Sequence, residues 1–402
     1  MKKKLLIFSL SLFLIPVGLW SGGWNNTLMG CRALAMGGAF VGIADHPSAI
    51  FHNPAGLVFQ RGSLNFSVDG FYIWPTHDYV MPTGSRVQSK FNNALPQIFV
   101  TYKTSDRLTI GFGAYVPYAG GGVDWKKNDL GFPLKSHMGI FSLTPSVSYQ
   151  VSDKLSLGFN LNFYRGVLDV DTVMENYGPM STEESGSALS AGFGLMYRPS
   201  ERLGVGLSVR GPAKMDLSGT TSITTTAPGF GPLELNLDSQ TSFNLPWDIE
   251  AGISYQITED FLFTTGLQYT MWSALDKVEK TIEDIPFTGD LRREEVMDFK
   301  DILILRAGVE YVIAGGLALR AGIGYDPSAT PDSSLNVTNI DVDKITLLGG
   351  IGYKTGSMQL DFVYIHAQGK EREITTTAFG LPLTEKYNLN VTVLGLGVTF
   401  SL

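Results

Sequence analysis

Five histidines are the first side chains to test for chemistry. His46, His52, His77, His137 and His366 are scattered through the chain without metal-ligand spacing. His46 and His52 lie close together, but no serine or acidic pattern around them composes a catalytic triad. No G-x-S-x-G, complete G-x-G-x-x-G, P-loop or H-E-x-x-H stretch occurs. The chain therefore reads as a non-enzyme with no catalytic residue, no metal site and no cofactor. What remains is charge. Arg210, Arg306 and Arg320 recur within otherwise apolar and glycine-rich stretches. An arginine there can hold a ligand carboxylate bidentately or brace a salt-bridge network.

The elements that position these arginines have a period of two. LALRAGIGY sets Leu317, Leu319, Ala321, Ile323 and Tyr325 on one face and Ala318, Arg320, Gly322 and Gly324 on the other. LGVGLSV, Leu203 to Val209, and the C-terminal LGLGVTFSL alternate in the same way. Such alternation marks a strand with a different environment on each face. Parity puts Arg210, Arg306, Glu310, Arg320 and Asp361 on the small, polar face. Arg306 and Arg320 also flank the VIAGG turn, so antiparallel pairing is expected to bring them close.

The connections separate a soluble sandwich from a membrane barrel. Short turns (KTSD, QVSDK, RPSER, QITED, VIAGG, KTGS) alternate with long links near 75–90, 118–137, 172–187, 216–240, 276–298, 326–341 and 370–386. Thirteen connections of this kind imply fourteen antiparallel strands with every long loop at one end, the pattern of an outer-membrane barrel. Its apolar face then meets lipid and its lumen takes the polar residues. Charged residues make up 17%, below the roughly 25% of soluble domains, in accord with that reading. A net charge of −8 argues against nucleic acid as partner. Trp74, Tyr118, Trp125, Tyr269, Trp272, Tyr325 and Tyr364 fall near strand ends, as girdle aromatics would.

The N-terminus divides in two. Three lysines precede an apolar run from Leu5 to Leu14, with small residues at 18–23, the layout of a signal peptide over 1–22. Residues 23–60 are apolar and rich in glycine and alanine, but hold no apolar run long and uninterrupted enough to span a bilayer. Fourteen strands enclose a lumen wider than side chains fill, so this segment is expected to plug it, with the barrel over 61–402. Within it, Asn53, Pro54, Ala55 and Gly56 form a tight turn in which Asn53 bonds nearby backbone.

GCRALAMGGAFVGIADHPSAIFHNPAGL resembles the N-terminal motif of the FadL/TodX family of outer-membrane transporters of long-chain fatty acids and aromatic hydrocarbons. YVPYAGGGVDW, LTPSVSYQVSDKLSLGFNLNFYRG and LRAGIGYDPSATPD extend the resemblance in order along the chain. It implies a monomeric fourteen-stranded barrel closed by an N-terminal hatch, in the outer membrane of a Gram-negative bacterium. The implied partners are a hydrophobic small molecule, membrane lipid and, during biogenesis, the assembly machinery. It also implies that Arg165, in NFYRG, faces a fatty-acid head group. Parity sets Arg165 on the lipid side, so a bulge at 164–166 is expected to turn it inward. The resemblance further implies a lateral opening in strand three, at Gly111, Gly113 and Pro117. Two departures stand out: Cys31 within the hatch, and a chain end in FSL that moves the terminal aromatic to Phe400. The rival readings are a general porin for small polar solutes and a lipid hydrolase of the outer membrane.

Overall fold

The computed structural model describes residues 22–402 other than 175–177, 228–230, 287 and 379–380. The expected signal peptide thus lies, but for Gly22, outside the described residues. Fourteen antiparallel strands close into one barrel. They are β1 (Leu64–Val80), β2 (Asn93–Ser105), β3 (Leu108–Trp125), β4 (Leu134–Ser152), β5 (Leu155–Met174) and β6 (Gly178–Ser200). Next come β7 (Leu203–Arg210, continued by Ala213–Ala227) and β8 (Gly231–Leu245, continued by Asp248–Gln256). The circuit continues through β9 (Phe261–Thr270), β10 (Ile302–Ile313), β11 (Leu317–Asp326), β12 (Lys344–Thr355), β13 (Met358–Gly369) and β14 (Leu381–Ser401). Strand β14 returns to β1 with Phe66 opposite Phe400, so the sheet closes on itself, as a chain crossing hydrocarbon with strands requires.

The alternation resolves as parity requires. Leu319, Ile323 and Tyr325 are exposed on the outside while Arg320 is buried in the lumen. The strands run further than the short-and-long pattern implies. Residues expected as links at 172–187 and 216–240 continue the ladder, with Asp171 opposite Ser181 and Leu235 opposite Ile223. Threonines 220, 221, 224 and 225 explain this: β-branched side chains favour a pleated ladder even where both faces are polar. The aromatics divide as well. Tyr269, Tyr325 and Tyr364 are exposed, but Tyr118, Trp125 and Trp272 are fully buried, because apolar lumen packing takes them before the interface can.

Residues 22–60 lie inside the barrel. They carry helix α1 (Cys31–Ala35), helix α2 (Ala49–His52) and a 3₁₀ turn (Pro54–Phe59). Asn53 caps that turn by accepting from the Ala55 N–H, and its amide donates to Val41 O and to Leu195 O on β6. The Ala55 carbonyl accepts from Ser148 and Ser156 on the wall. The hatch touches the wall backbone to backbone. A Cβ at Gly206 would stand 2.0 Å from Val41 O, and one at Gly322 would stand 2.1 Å from Gly37 N. Gly158 and Gly308 meet Ala55 N and Met36 O in the same way, at 2.3 and 2.2 Å.

Gly322→Val should therefore unseat the hatch and leave the wall intact. Single-channel conductance in planar bilayers is expected to rise from closed to open, with heat-modifiable gel mobility unchanged. A closed Gly322→Val barrel would contradict the contact. Acid should loosen the same seat. Burial lowers the His52 pKa to about 4, where its ring meets the Met29 carbonyl at 3.0 Å. Its unfolded value is near 6.5, so this stability is complete above 6.5 and is lost as pH falls toward 4. Conductance should rise over that window, and His52→Gln should flatten the rise.

Candidate functional site

The predicted arginines fall into two groups. Arg210, Arg306 and Arg320 are buried in the lumen, each against an acid. Arg210 meets Asp248 at 3.2 Å, donates to the hatch carbonyl of Phe51 and covers the Phe51 ring at 4.2 Å. Arg306 meets Asp326 at 3.0 Å. Arg320 is held by Glu310 at 2.5 Å and Asp361 at 2.6 Å. Arg306 stands opposite Gly324 and Arg320 opposite Glu310, so the register sets the two arginines four residues apart along the strands. Each has its own acid, contrary to the expected proximity.

Arg165 faces outward. Strand β5 keeps an unbroken register with β6 through Tyr164, Arg165 and Gly166, so the expected bulge is absent. Its guanidinium donates to Ser185 at 2.6 Å on the exposed side. The inversion of polarity at Val167, Asp169 and Asp171 has another cause: the strand has left the lipid belt. A further cation escaped the sequence reading. Arg32 of the hatch binds Asp45 at 2.5 Å and Glu310 at 3.0 Å, linking hatch to wall. Burial alone would lower its pKa, but those two carboxylates outweigh burial and raise it. A lone arginine in an uncharged stretch was the available signal.

Strand β3 carries a break in the wall. Gly111 and Gly113 remain in the ladder, opposite Thr101 and Phe99, with Ile50 of the hatch against them. The last β2–β3 pair is Ile98 with Ala114, although β2 continues to Asn93. On the other side β3 pairs β4 at Tyr115 with Ser142 and next at Tyr118 with Ile140, one residue out of step. This discontinuity spans 115–118, with Pro117 inside it, and a second one-residue shift follows between Gly121 and Val123. Residues 24–30 occupy the break at 115–118 from inside. Asn26 N–H donates to Pro117 O at 2.9 Å, its amide to Val116 O at 2.6 Å, and Ala119 N–H to Trp24 O at 2.8 Å. Toward β2, Gly30 N–H donates to the Gln97 side chain, whose amide donates to Leu28 O.

Beside this break lies an apolar cavity of about 510 Å³, within the roughly 300–1,000 Å³ of ligand sites. Trp24, Gly120, Met138, Leu168, Phe243 and Met297 line it. Trp24 packs edge-on to Phe243 and Phe299, at 5.2 and 6.0 Å between ring centres. Polar groups enter from a hairpin at 277–296: Lys280, Arg293 and Glu295. Lys280 donates to Thr182 at 2.9 Å. Burial lowers the Lys280 pKa and raises that of Glu295. No periodic signal marked this hairpin, because its charged strand reads as an ordinary exposed loop.

Comparisons with known proteins agree with this geometry. The family model described as outer membrane protein transport protein (OMPP1/FadL/TodX) matches residues 25–402. Outer membrane protein P1 of Haemophilus influenzae is 24% identical over 96% of each chain. The 47 kDa outer membrane protein of Pasteurella multocida is 24% identical over 91% of each. Among solved structures, a Pseudomonas aeruginosa FadL homologue superposes with a TM-score of 0.80 at 17% identity, covering 94% of this chain and 100% of that one. The Pseudomonas putida toluene transporter TodX gives 0.76 at 15%, covering 96% and 100%. These likenesses show a shared fold. The match over residues 25–402 shows that this chain is an outer-membrane protein, not an enzyme, and belongs to the OMPP1/FadL/TodX transport family.

Proposed function

We propose that the chain is a passive, monomeric channel that carries hydrophobic compounds across the outer membrane, with long-chain fatty acids or related apolar molecules as cargo. The observation that carries this is the apolar cavity lying against a wall break that the hatch itself fills. A ligand captured among the outer loops partitions into the cavity, where burial contributes roughly 0.8 kcal/mol per methylene. Release follows when residues 24–30 leave the break, since one movement frees both its edges. Gly111 and Gly113 seat the hatch in this scheme, and Pro117 makes the opening. The relatives point the same way: TodX is named a toluene transporter and a monoaromatic hydrocarbon channel. A polar porin fits less well, because the hatch fills its path. The paired lumen arginines, Arg210, Arg306 and Arg320, act as braces here, and Lys280 with Arg293 takes the role of head-group cation.

Two measurements test this. Deleting Val116 removes the extra residue and keeps Tyr118 facing the lumen, so the ladder closes. Uptake of a radiolabelled long-chain fatty acid by cells should be lost while the barrel still assembles; undiminished uptake would remove the strand-three route. Lys280→Met should weaken binding of that fatty acid about tenfold, the size of a charge-assisted hydrogen bond of ~1.5 kcal/mol. Binding of a neutral hydrocarbon of equal length should not change. Equal losses for both ligands would leave Lys280 as packing.

A further inference from the structure

The wall has a second discontinuity, between β6 and β7. The lower part of the seam is paired up to Gly192 opposite Arg210, and the upper part resumes at Gly186 opposite Leu217. Between them residues 187–191 and 211–216 form no ladder pairs with each other, and β7 spends six residues where β6 spends five. The seam is crossed by Gly211 N–H donating to Ala191 O and Ser190 Oγ donating to Gly211 O, both at 2.8 Å. The next seam is weak at the same height. Ala213 pairs with Leu245 and Arg210 with Asp248, which sets Gly211–Pro212 opposite Pro246–Trp247. Two facing prolines offer no N–H to a ladder. Both strands can bend there.

The two sides of this seam are both apolar. Outside, a groove of about 470 Å³ runs past exposed Leu189, Phe193, Pro212 and Trp247 and reaches lumen-facing Ser190 and Gly192. Inside, Ala213, Met215, Leu217 and Phe243 belong to one buried cluster, and Phe243 also lines the ligand cavity. A single strand layer therefore separates groove from cavity. Height matters too. Leu189 lies opposite Phe163, both exposed and apolar, whereas Arg165 with Ser185 and Ser187 begins the polar surface just above. The seam opens at the outer margin of the lipid belt.

We propose that the β6–β7 seam is a second lateral portal, through which apolar molecules dissolved in the outer leaflet enter the cavity directly. This rests on the transport reading above. The strand segments Ala213–Ala227 and Gly231–Leu245 swing about Pro212 and Pro246, and breakage of the Ser190–Gly211 bond parts the seam. Strand three then serves release and this seam serves entry from the membrane.

A reversible lock tests the proposal. A Cβ at residue 211 would lie 3.5 Å from Ser190 Oγ, close to disulfide reach, so Ser190→Cys with Gly211→Cys can join the strands in a Cys31→Ala background. Cells carrying the oxidised protein should take up radiolabelled naphthalene several-fold more slowly, with recovery on adding dithiothreitol. A second variant, Ala191→Trp, fills the groove without chemistry and should give the same loss. Equal rates in oxidised and reduced protein, or a native rate in Ala191→Trp, overturn the portal. Absence of uptake of both naphthalene and a long-chain fatty acid by the native protein overturns the transport reading itself.

Discussion

Everything in this barrel depends on bare backbone meeting bare backbone where the hatch lies against the wall. The lumen of fourteen strands is wide, and a plug must touch it closely to seal it. Any side chain at the contact would hold the surfaces apart by several ångströms. Glycines on the lumen face remove that spacer at Gly158, Gly206, Gly308 and Gly322. Close approach then lets wall side chains reach hatch carbonyls, as Ser148, Ser156, Ser254 and Thr264 do. Those bonds matter because a buried carbonyl without a partner costs about 1–3 kcal/mol. The small residues of the hatch are the other half of the same fit.

Charge adds direction to a contact that packing alone would leave slippery. Arg32 on the hatch shares Glu310 with Arg320, which in turn holds Asp361, so α1 is tied to β10, β11 and β13. Removing one member of such a buried network typically costs about 3–5 kcal/mol, because the others remain as uncompensated charges. That asymmetry explains why these arginines serve as braces. Each already has its carboxylate, and a ligand head group would have to displace it. Lys280 differs. It has a threonine hydroxyl and, among the described residues, no salt bridge, beside a cavity large enough for an alkyl chain.

Much of the architecture was legible because a barrel writes a period of two into every strand. LALRAGIGY alone separated lipid-facing Leu319 from lumen-facing Arg320, and the turn spacing gave the strand count. What escaped was everything set by the third dimension. Arg165 carries the outward parity that its position dictates; only the expectation of a bulge turned it inward, and the continuous pairing of β5 with β6 decides against that. Trp125 and Trp272 read as interface aromatics because sequence cannot distinguish a wet strand end from a dry lumen. The cavity was invisible for a related reason. Trp24, Met138, Phe243 and Met297 come from four distant segments.

The breaks in the wall obey one rule. In hydrocarbon an unpaired backbone group costs several kcal/mol, so a strand can leave its neighbour only where something else supplies partners. At strand three the hatch supplies them: Asn26 and Trp24 satisfy the edge that Pro117 disrupts. At the β6–β7 seam the wall supplies its own, through Ser190 and the Gly211 amide, while Pro212 and Pro246 have no N–H to strand. Proline lowers the cost of a gap by removing the donor that the gap would orphan. A break of this kind is stable when closed and cheap to widen, which is what passage of an apolar molecule through a barrel wall requires.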